Sequence, residues 1–422
     1  MIKTILNFFF RHKVYVALFA IIVTGLFLRF YMIDKHHPFG FDQARDSWKV
    51  RDIIHGQIVL EGPRTGIGHF HLGPLYYYLL VPFFYFSNMD PTALHYFNLL
   101  ANLFNFIAIF VVIKNIFSQN YALFTITVYA ASSYFITQNQ TPWNVSLLIG
   151  LSFLAFYSVF KILSGSHRFI IYYSLLIGIL FNIHFSAVIF LAIIPLIFLL
   201  VKDKIKVTKY FLFSIPIILI FFIPTVLFNL TRHNTDYFKF KEFLNYNLIG
   251  FHFRFMLYRL GDILIQFEPF LFKQVYTIKY LIPIVYLSVV YFFEKDKKFK
   301  VLALTNSIFL VCTLFIFTIY GGPVSDYYFL LTLPTALTII IYLQNKLISK
   351  YKISILFLAI YWVFFIFLNT KSHWVKVDSK DGIFYLKEEV KNRMKQGEKF
   401  EYNEGEIRSY IYEVLEFDKK SF

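Results

Sequence analysis

The sequence predicts an all-α polytopic membrane protein, and three observations lead to this fold class. The 422-residue chain is 58% hydrophobic and 22% aromatic, with a mean hydropathy of +0.60. Its apolar runs reach the roughly 20 residues that a helix needs to cross a bilayer. Basic residues concentrate in the short connections between those runs. A soluble protein of this length would not need so much apolar surface. The single cysteine, Cys312, excludes a disulfide framework within the chain.

Eleven apolar runs are predicted to form transmembrane helices. They begin near Val14, Ala93, Tyr121, Val145, Phe169, Ala187, Tyr210, Tyr280, Val301, Tyr327 and Ile353. The first run lacks a small-residue cleavage site and is therefore interpreted as an anchor. The run Gly73–Phe86 is shorter, and Gly73, Pro74 and Pro82 interrupt it, so we predict an interfacial helix in this part of the first outer loop.

The charge distribution predicts which side of the membrane each loop occupies. The N-terminus and the loops on its side carry 17 Lys and Arg residues against three acidic residues. By the positive-inside rule this side is cytoplasmic. If Gly73–Phe86 crossed the membrane, the N-terminal charges would oppose all the other basic loops. We therefore expect an integral protein of the cell membrane with a cytoplasmic N-terminus. The predicted extracytoplasmic segments are residues 34–92, 231–279 and 370–422, together with the turn Thr137–Asn144, the turn near His184 and the turn Gly321–Asp326.

The net charge of +16 does not indicate a nucleic-acid partner. The tail, residues 370–422, holds 11 basic and 11 acidic residues, so the whole excess lies in residues 1–369 and fits the positive-inside pattern. We predict a transmembrane domain over 1–369 and a small extracytoplasmic α/β domain over 370–422. In the tail, Tyr385–Met394 has helical spacing, Lys399–Tyr402 looks extended, and Ile407–Phe417 alternates apolar and polar residues.

Two acidic residues, Asp42 and Asp46, lie just beyond the first predicted helix. Their i, i+4 spacing places both on one helix face. In one interpretation, Asp42 caps a helix N-terminus and Asp46 lies on a solvated face. In the other, a carboxylate at the membrane surface acts as a general base on an acceptor hydroxyl or amine. Ionisable groups are costly beside hydrocarbon, which makes this cluster a functional candidate.

Cationic and imidazole side chains follow in the same loop at Arg64, His69 and His71. A guanidinium can fork onto two phosphate oxygens, and the HFH spacing places both imidazoles on one side of an extended segment. These residues could contact a lipid phosphate, and Arg232 at the start of the long outer loop could join them. Alternatively, His69 and His71 could bind a divalent metal with Asp42 or Asp46, or simply cap the loop.

Five residues are candidates for binding a sugar or an acceptor: Gln43, Trp143, Asn144, His184 and Tyr327. Sugars offer apolar CH faces as well as hydroxyls, so an aromatic plate beside an amide suits them. Each candidate also has a simpler explanation, because Trp and Tyr commonly anchor helix ends at the interface and His184 could be a satisfied buried histidine.

The order and sidedness of these motifs resemble the GT-C superfamily of membrane glycosyltransferases. FDQARD, LGPLYYYLL, WNVS, IHFS and DYYFLLTLP are similar to features of bacterial members in the branch of protein O-mannosyltransferases and aminoarabinose transferases. The resemblance covers most of residues 1–345 and implies a polyprenyl-phosphate sugar as donor. In that branch the first-loop motif is often Asp-Glu with the Asp as base, so the resemblance gives this role to Asp42. Gln43 departs from the pattern, and Asp46 is the candidate substitute for the second acid.

A second motif of the family, His-Pro-Pro-Leu, corresponds here to HLGPL. His71, Pro74 and Leu75 match if one residue is inserted and Gly73 takes the place of a proline. The mannosyltransferases also carry an Arg near the start of the second spanning helix, where this chain has His95.

We therefore expect an integral-membrane glycosyltransferase that moves a monosaccharide from a polyprenyl-phosphate donor to an extracytoplasmic glycan, lipid or protein, with inversion at the anomeric carbon. The expected partners are membrane lipids, the donor and the acceptor. No cofactor is required by this chemistry, and a divalent metal is an option. Two other classes stay open. A transporter or flippase for a lipid-linked sugar would show charges at mid-membrane and an internal repeat. A non-catalytic scaffold for envelope assembly would use the tail for docking.

Overall fold

The computed structural model describes residues 13–66, 68–247, 290, 294–320, 322, 324–374, 382–401, 403 and 407–420. Over these residues the chain is helical, with two isolated bridges and no strand, which confirms the all-α prediction for the part described. The helices of the first half are Lys13–Phe30, Ile33–His36, Phe41–Ile54, Leu75–Phe86, Ala93–Ile116, Gln119–Ala131, Ser133–Gln140, Leu148–Leu163, Phe169–Ile183 and Val188–Leu200. Those of the second half are Lys204–Thr231, Thr235–Asn247, Lys297–Ile319, Leu333–Lys350, Ser354–Trp374, Ile383–Lys395 and Ile407–Lys420, and short 3₁₀ turns cover Asn144–Leu147, Phe185–Ala187 and Asp326–Thr332.

Six helical segments of the described chain are long and apolar enough to cross a membrane. They are Lys13–His36, Ala93–Ile116, Asn144–Leu163, Lys204–Thr231, Lys297–Ile319 and Tyr327–Lys350. Ten of the eleven predicted runs fall on helices, and the run near Tyr280 lies outside the described residues. The count of eleven crossings stays a prediction, because several of these helices are shorter. The long loop predicted over 231–279 opens with the helix Thr235–Asn247, and its remainder also lies outside the described part.

The predicted interfacial run forms the helix Leu75–Phe86. It has 12 residues, and at about 1.5 Å per residue it spans about 18 Å, well short of the roughly 30 Å of a hydrocarbon core. Its length thus fits an interfacial helix better than a crossing one.

The described chain forms two compact units. The first contains the described residues of Met1–Val59, Tyr76–Leu147 and Ile355–Phe422, and the second contains those of Leu60–Leu75 and Leu148–Ser354. In the first unit, Lys13–Phe30 packs against Gln119–Ala131.

A fully buried arginine, Arg29, fixes this packing in the first unit. Its guanidinium donates to the Tyr129 carbonyl at 2.8 Å and to the Ala130 carbonyl at 3.0 Å, and it lies over the rings of Phe106 and Tyr129. These carbonyls close the helix Gln119–Ala131 and have no partner within it, so a cation satisfies them and complements the helix dipole.

Three buried asparagines on Ala93–Ile116 bind the turn that follows the next helical pair. Asn98 donates to the carbonyl of Asn139 at 2.7 Å, Asn102 donates to the same carbonyl at 3.3 Å, and Asn105 donates to that of Ser146 at 2.8 Å. Buried amides without partners would be costly, so these bonds fix the turn 139–146 within the first unit.

The described part of the tail is helical. Ile383–Lys395 confirms the helix predicted over Tyr385–Met394. The segment predicted to alternate as a strand is instead the helix Ile407–Lys420. Its buried residues are Tyr410, Ile411 and Val414, whose spacing of three and four places them on one helix face. This helical spacing decides the structure here, and the alternation of apolar and polar residues does not.

In the second unit, Phe169–Ile183 packs against Lys204–Thr231. Ser174 and Ser214 share a hydrogen bond of 2.8 Å, and Asn182 donates to the Phe221 carbonyl at 3.2 Å. The Asn182 side chain also lies where a Cβ on Gly73 would be, so no side chain fits at Gly73. This contact explains a glycine in the HLGPL segment.

Candidate functional site

The two acids of the first loop lie on one helix, as the i, i+4 spacing predicts. The helix Phe41–Ile54 begins after Gly40, which is its N-cap, and Gln43 accepts a hydrogen bond from the Gly40 N–H at 3.0 Å. Asp42 therefore lies in the first turn and is not the cap, so the capping interpretation of Asp42 is wrong. Gly40 has no side chain to cap the helix, and the Gln43 side chain satisfies the Gly40 N–H instead, which is one half of a capping box. We call Phe41–Ile54 the carboxylate helix.

Arg45 bridges the two carboxylates. Its Nη1 contacts Asp42 Oδ1 at 2.7 Å, and its Nη2 contacts Asp46 Oδ1 at 2.6 Å. The side chain of Asp42 is 54% exposed, whereas that of Asp46 is 1% exposed. Burial raises the pKa of Asp46 to about 6, and the guanidinium of Arg45 opposes this shift. Asp42 thus faces solvent while Asp46, beside the Tyr77 hydroxyl, holds Arg45 in place.

Gln43 is buried and uses both ends of its amide. Besides its bond with Gly40, its Nε2 donates to the Pro142 carbonyl at 3.2 Å. The predicted sugar residues Trp143 and Asn144 follow directly, half-buried, at the 3₁₀ turn Asn144–Leu147. The carboxylate helix is therefore bonded to the turn that the asparagines fix.

In the second unit, His71 forms a dyad with an acid that sequence reasoning missed. Asp236 accepts from the His71 backbone N–H at 2.9 Å and lies 3.0 Å from His71 Nδ1. Burial lowers the pKa of His71, and Asp236 offsets part of this effect. The imidazole is then neutral near pH 7. Its Nδ1–H donates to Asp236, and its Nε2 lone pair faces Arg64, whose Nε lies 3.5 Å away.

The loop that carries these residues turns back on itself. Gly62 N–H donates to Leu72 O at 2.8 Å, and Thr65 N–H donates to Phe70 O at 2.9 Å, which places Arg64 beside His71. His69 lies in the turn with φ 55°, exposed to solvent. The prediction of an extended HFH segment with both imidazoles on one side is therefore wrong, because the left-handed residue breaks the alternation.

Arg232 lies near the dyad through a shared aromatic ring. Its guanidinium lies 5.8 Å from the Phe228 ring, and the His71 ring meets the same phenyl edge-on at 5.2 Å. The second unit thus brings three of the predicted phosphate-binding residues, Arg64, His71 and Arg232, into one neighbourhood.

His184 and Tyr327 meet in the second unit. Their rings lie 5.6 Å apart, and His184 Nδ1 accepts the Ser186 backbone N–H at 3.2 Å. Both residues are half-buried. Among the residues described, no group of three or more His, Cys, Asp or Glu side chains could hold a metal ion, so the optional site on His69, His71 and Asp42 has no support in the geometry.

Sequence reasoning missed Asp236 and Asn182, for different reasons. Asp236 has the local signal of an acid in the first turn of a helix, but its partner lies 165 residues away. Asn182 looks like one polar residue in an apolar helix, and its contact with Gly73 depends on the tertiary fold.

No protein-family model matches the chain, and no curated protein matches it. Solved structures do match it. Crystal structures of ArnT from Cupriavidus metallidurans match it in the undecaprenyl phosphate-bound form, with a TM-score of 0.55 at 12% identity, and in the apo form, with a TM-score of 0.52 at 10% identity. The matches cover 78% and 77% of this chain but 59% and 58% of the ArnT chain. At this identity the likeness shows a shared fold, which supports the fold expected from the GT-C resemblance.

Proposed function

We propose that this protein is a GT-C glycosyltransferase that moves a monosaccharide from a polyprenyl-phosphate donor to an extracytoplasmic acceptor. The observation that carries the proposal is the fold shared with ArnT, one structure of which holds undecaprenyl phosphate. In this proposal the chain crosses the membrane eleven times from a cytoplasmic N-terminus. Residues 1–369 form the transferase domain and 370–422 an extracytoplasmic domain.

Asp42 is proposed as the general base. It is the exposed member of the acid pair, and its contact with Arg45 leaves Oδ2 for an acceptor. The carboxylate takes the proton of an acceptor hydroxyl or amine as that group bonds to the anomeric carbon. The bond from this carbon to the phosphate oxygen breaks on the opposite side, so the configuration inverts and polyprenyl phosphate departs with the electron pair.

Arg64 and Arg232 are proposed to stabilise the departing phosphate. Both have exposed side chains, and a guanidinium presents paired donors to phosphate oxygens. His71 is neutral before the donor binds, but a nearby phosphate raises the pKa of an imidazole, so the bound anion favours a protonated His71 that donates from Nε2. Asp236 would hold the ring for this purpose. His69, exposed in the same turn, is proposed as an outer phosphate contact.

Sugar and acceptor contacts are assigned to Trp143, Asn144, His184 and Tyr327. Trp143 offers an aromatic face beside the Asn144 amide, and His184 packs against Tyr327. Gln43 is assigned a supporting role, because its amide already bonds to Gly40 and Pro142.

The test uses purified full-length protein with synthetic polyprenyl-phosphate monosaccharides and membrane extracts as acceptor. Wild type should release polyprenyl phosphate and form a glycoside, both read by mass spectrometry. Asp42→Asn should lower the transfer rate by at least about 100-fold while the protein stays folded. Asp52→Asn, on the same helix, is the matched control and should keep the rate.

Full transfer by Asp42→Asn would exclude this base. Movement of the donor across vesicles without glycoside formation would instead favour a transporter. Binding of envelope proteins with neither reaction would favour a scaffold.

A further inference from the structure

The tail returns to the first loop within the first unit, and Gly382 makes the contact. The Gly382 N–H donates to the Lys35 carbonyl at 2.9 Å, and Gly382 forms a bridge with Pro38. A Cβ at Gly382 would overlap with the Asp34 carbonyl oxygen and the Lys35 backbone, so the approach requires glycine. The chain is thereby fixed just before the carboxylate helix begins.

Tyr410 connects the tail to the carboxylate helix. It is fully buried, and its ring meets the Trp48 ring edge-on at 5.1 Å. The ring also lies 6.5 Å from that of Phe39, and its hydroxyl donates to the Met89 carbonyl at 2.8 Å. One tail side chain therefore contacts the residues before the carboxylate helix, the third turn of that helix and the connection after Leu75–Phe86.

Two ion pairs flank this aromatic contact. Arg51, on the carboxylate helix, lies 2.6 Å from Glu413 of the tail. Lys387 of the tail pairs with Asp90. Both pairs are partly exposed, so each contributes modestly to stability, and their value is to fix the register of the tail on the loop.

The carboxylate helix needs such support. It has 14 residues, and isolated helices shorter than about 12–15 residues are marginal in water. Most of its side chains are polar, so it has few apolar contacts to stabilise it. Its large buried aromatic residue, Trp48, packs against Tyr410 of the tail.

We propose that the tail helices, Ile383–Lys395 and Ile407–Lys420, are a clamp that holds the carboxylate helix in its active position, with Tyr410 as the positioning residue. The clamp acts through the helix and touches no substrate. Its consequence for Asp42 rests on the proposed function, whereas its consequence for the order of the helix does not. Tail and carboxylate helix are thus one functional element, and loss of tail contacts loosens the base without removing it.

The test measures amide hydrogen exchange of residues 41–54 in the full-length protein. Tyr410→Ala should make this segment exchange at least about tenfold faster, and Tyr410→Phe, which keeps the ring, should have a smaller effect. Glu413→Arg places two cations together and should also speed exchange. The double variant Arg51→Glu/Glu413→Arg restores an opposite pair and should recover protection.

Glu388→Arg is the matched control, because it makes the same charge change at an exposed position of the tail. It should leave exchange in residues 41–54 at the wild-type rate. In transfer assays, the clamp variants should lower kcat while KM for the donor stays within about twofold, and the charge-swapped pair should recover kcat.

Unchanged exchange of residues 41–54 in Tyr410→Ala and Glu413→Arg would overturn the clamp, even if the tail itself exchanged faster. If Glu413→Arg did not fold, failure of the Arg51→Glu/Glu413→Arg swap to restore folding would overturn the clamp as well. Faster exchange in a protein without transferase activity would retain the clamp and reject the proposed function, so the two failures are distinguishable.

Discussion

The carboxylate helix and the His71–Asp236 dyad both use a buried carboxylate, but they hold groups of different charge. On the carboxylate helix, a buried acid, Asp46, holds a cation that contacts an exposed acid, Asp42. In the second unit, a buried acid, Asp236, holds an imidazole whose burial keeps it neutral. The first arrangement places a surface carboxylate beside a fixed cation, and the second holds a neutral imidazole that can take a proton when an anion binds. In both, a buried carboxylate positions the group that would do the chemistry, so the buried acids should be as sensitive to mutation as the exposed groups.

The largest effect is expected at Arg45. Arg45→Ala leaves the Asp46 carboxylate buried without its cation, and breaking a buried pair in this way costs about 3–5 kcal/mol. Thermal unfolding in detergent should show this loss. Arg51→Ala, which removes a partly exposed ion pair from the same helix, should cost about 1 kcal/mol or less. Arg45→Met/Asp46→Asn, which removes both charges, should recover most of the stability. Equal losses for Arg45→Ala and Arg51→Ala would contradict the buried pairing.

The next effect is expected at Asp236. Asp236→Asn removes the carboxylate that stabilises a protonated His71, so the imidazole stays neutral when the donor binds and brings no positive charge to the departing phosphate. We expect transfer to fall roughly 10- to 100-fold with an intact fold. Because the two residues act as a unit, His71→Ala should add little in the Asp236→Asn background.

Asp203→Asn provides the matched control for this prediction, because Asp203 is an acid of the same unit whose partner is the exposed Lys206. It should keep the wild-type rate. Fully additive losses at His71 and Asp236 would show that the dyad does not act as one group.

Sequence reasoning predicted elements whose signal is local and missed contacts that depend on the fold. The 20-residue apolar runs, the helical spacing of Asp42 and Asp46 and the helix in the tail could all be predicted, because each is written in consecutive residues. The orientation of His69 could not, because its left-handed backbone belongs to a turn closed by Thr65 and Phe70. Asp236 and Tyr410 have their roles because of partners more than 150 residues away, and a single sequence does not show such contacts.

A smaller effect is expected from pH, and it should separate the two regions. Burial raises the pKa of Asp46 to about 6, above the ordinary 3.8, so the folded state holds this proton at a higher pH than the unfolded chain does. Its contribution to stability therefore falls as pH rises from about 4 to about 6. Activity should change in the opposite direction, because a protonated Asp46 loses its ionic hold on Arg45.

Transfer should fall by about half at pH 6 and about tenfold at pH 5. In Asp46→Asn, the transfer rate should be lower and should not fall further between pH 7 and pH 5. In His71→Gln, the fall at acidic pH should remain. If the acidic fall in rate persisted unchanged in Asp46→Asn, it would have to come from the titration of another group.

The smallest effect is expected at Gln43, which bonds the carboxylate helix to the turn 139–146. Gln43→Leu removes the bonds to Gly40 N–H and the Pro142 carbonyl, and we expect a loss of about 1–2 kcal/mol in unfolding free energy. Gln43→Glu restores the acid typical of the resembling family and keeps an acceptor for Gly40, but it places a carboxylate oxygen against the Pro142 carbonyl. It should therefore be no more stable than Gln43→Leu. If Gln43→Glu matched wild type in stability and exceeded it in transfer rate, position 43 would be a catalytic position at which this chain has lost an acid. The carboxylate helix would then be able to use two catalytic carboxylates, whereas the His71–Asp236 dyad has a single carboxylate.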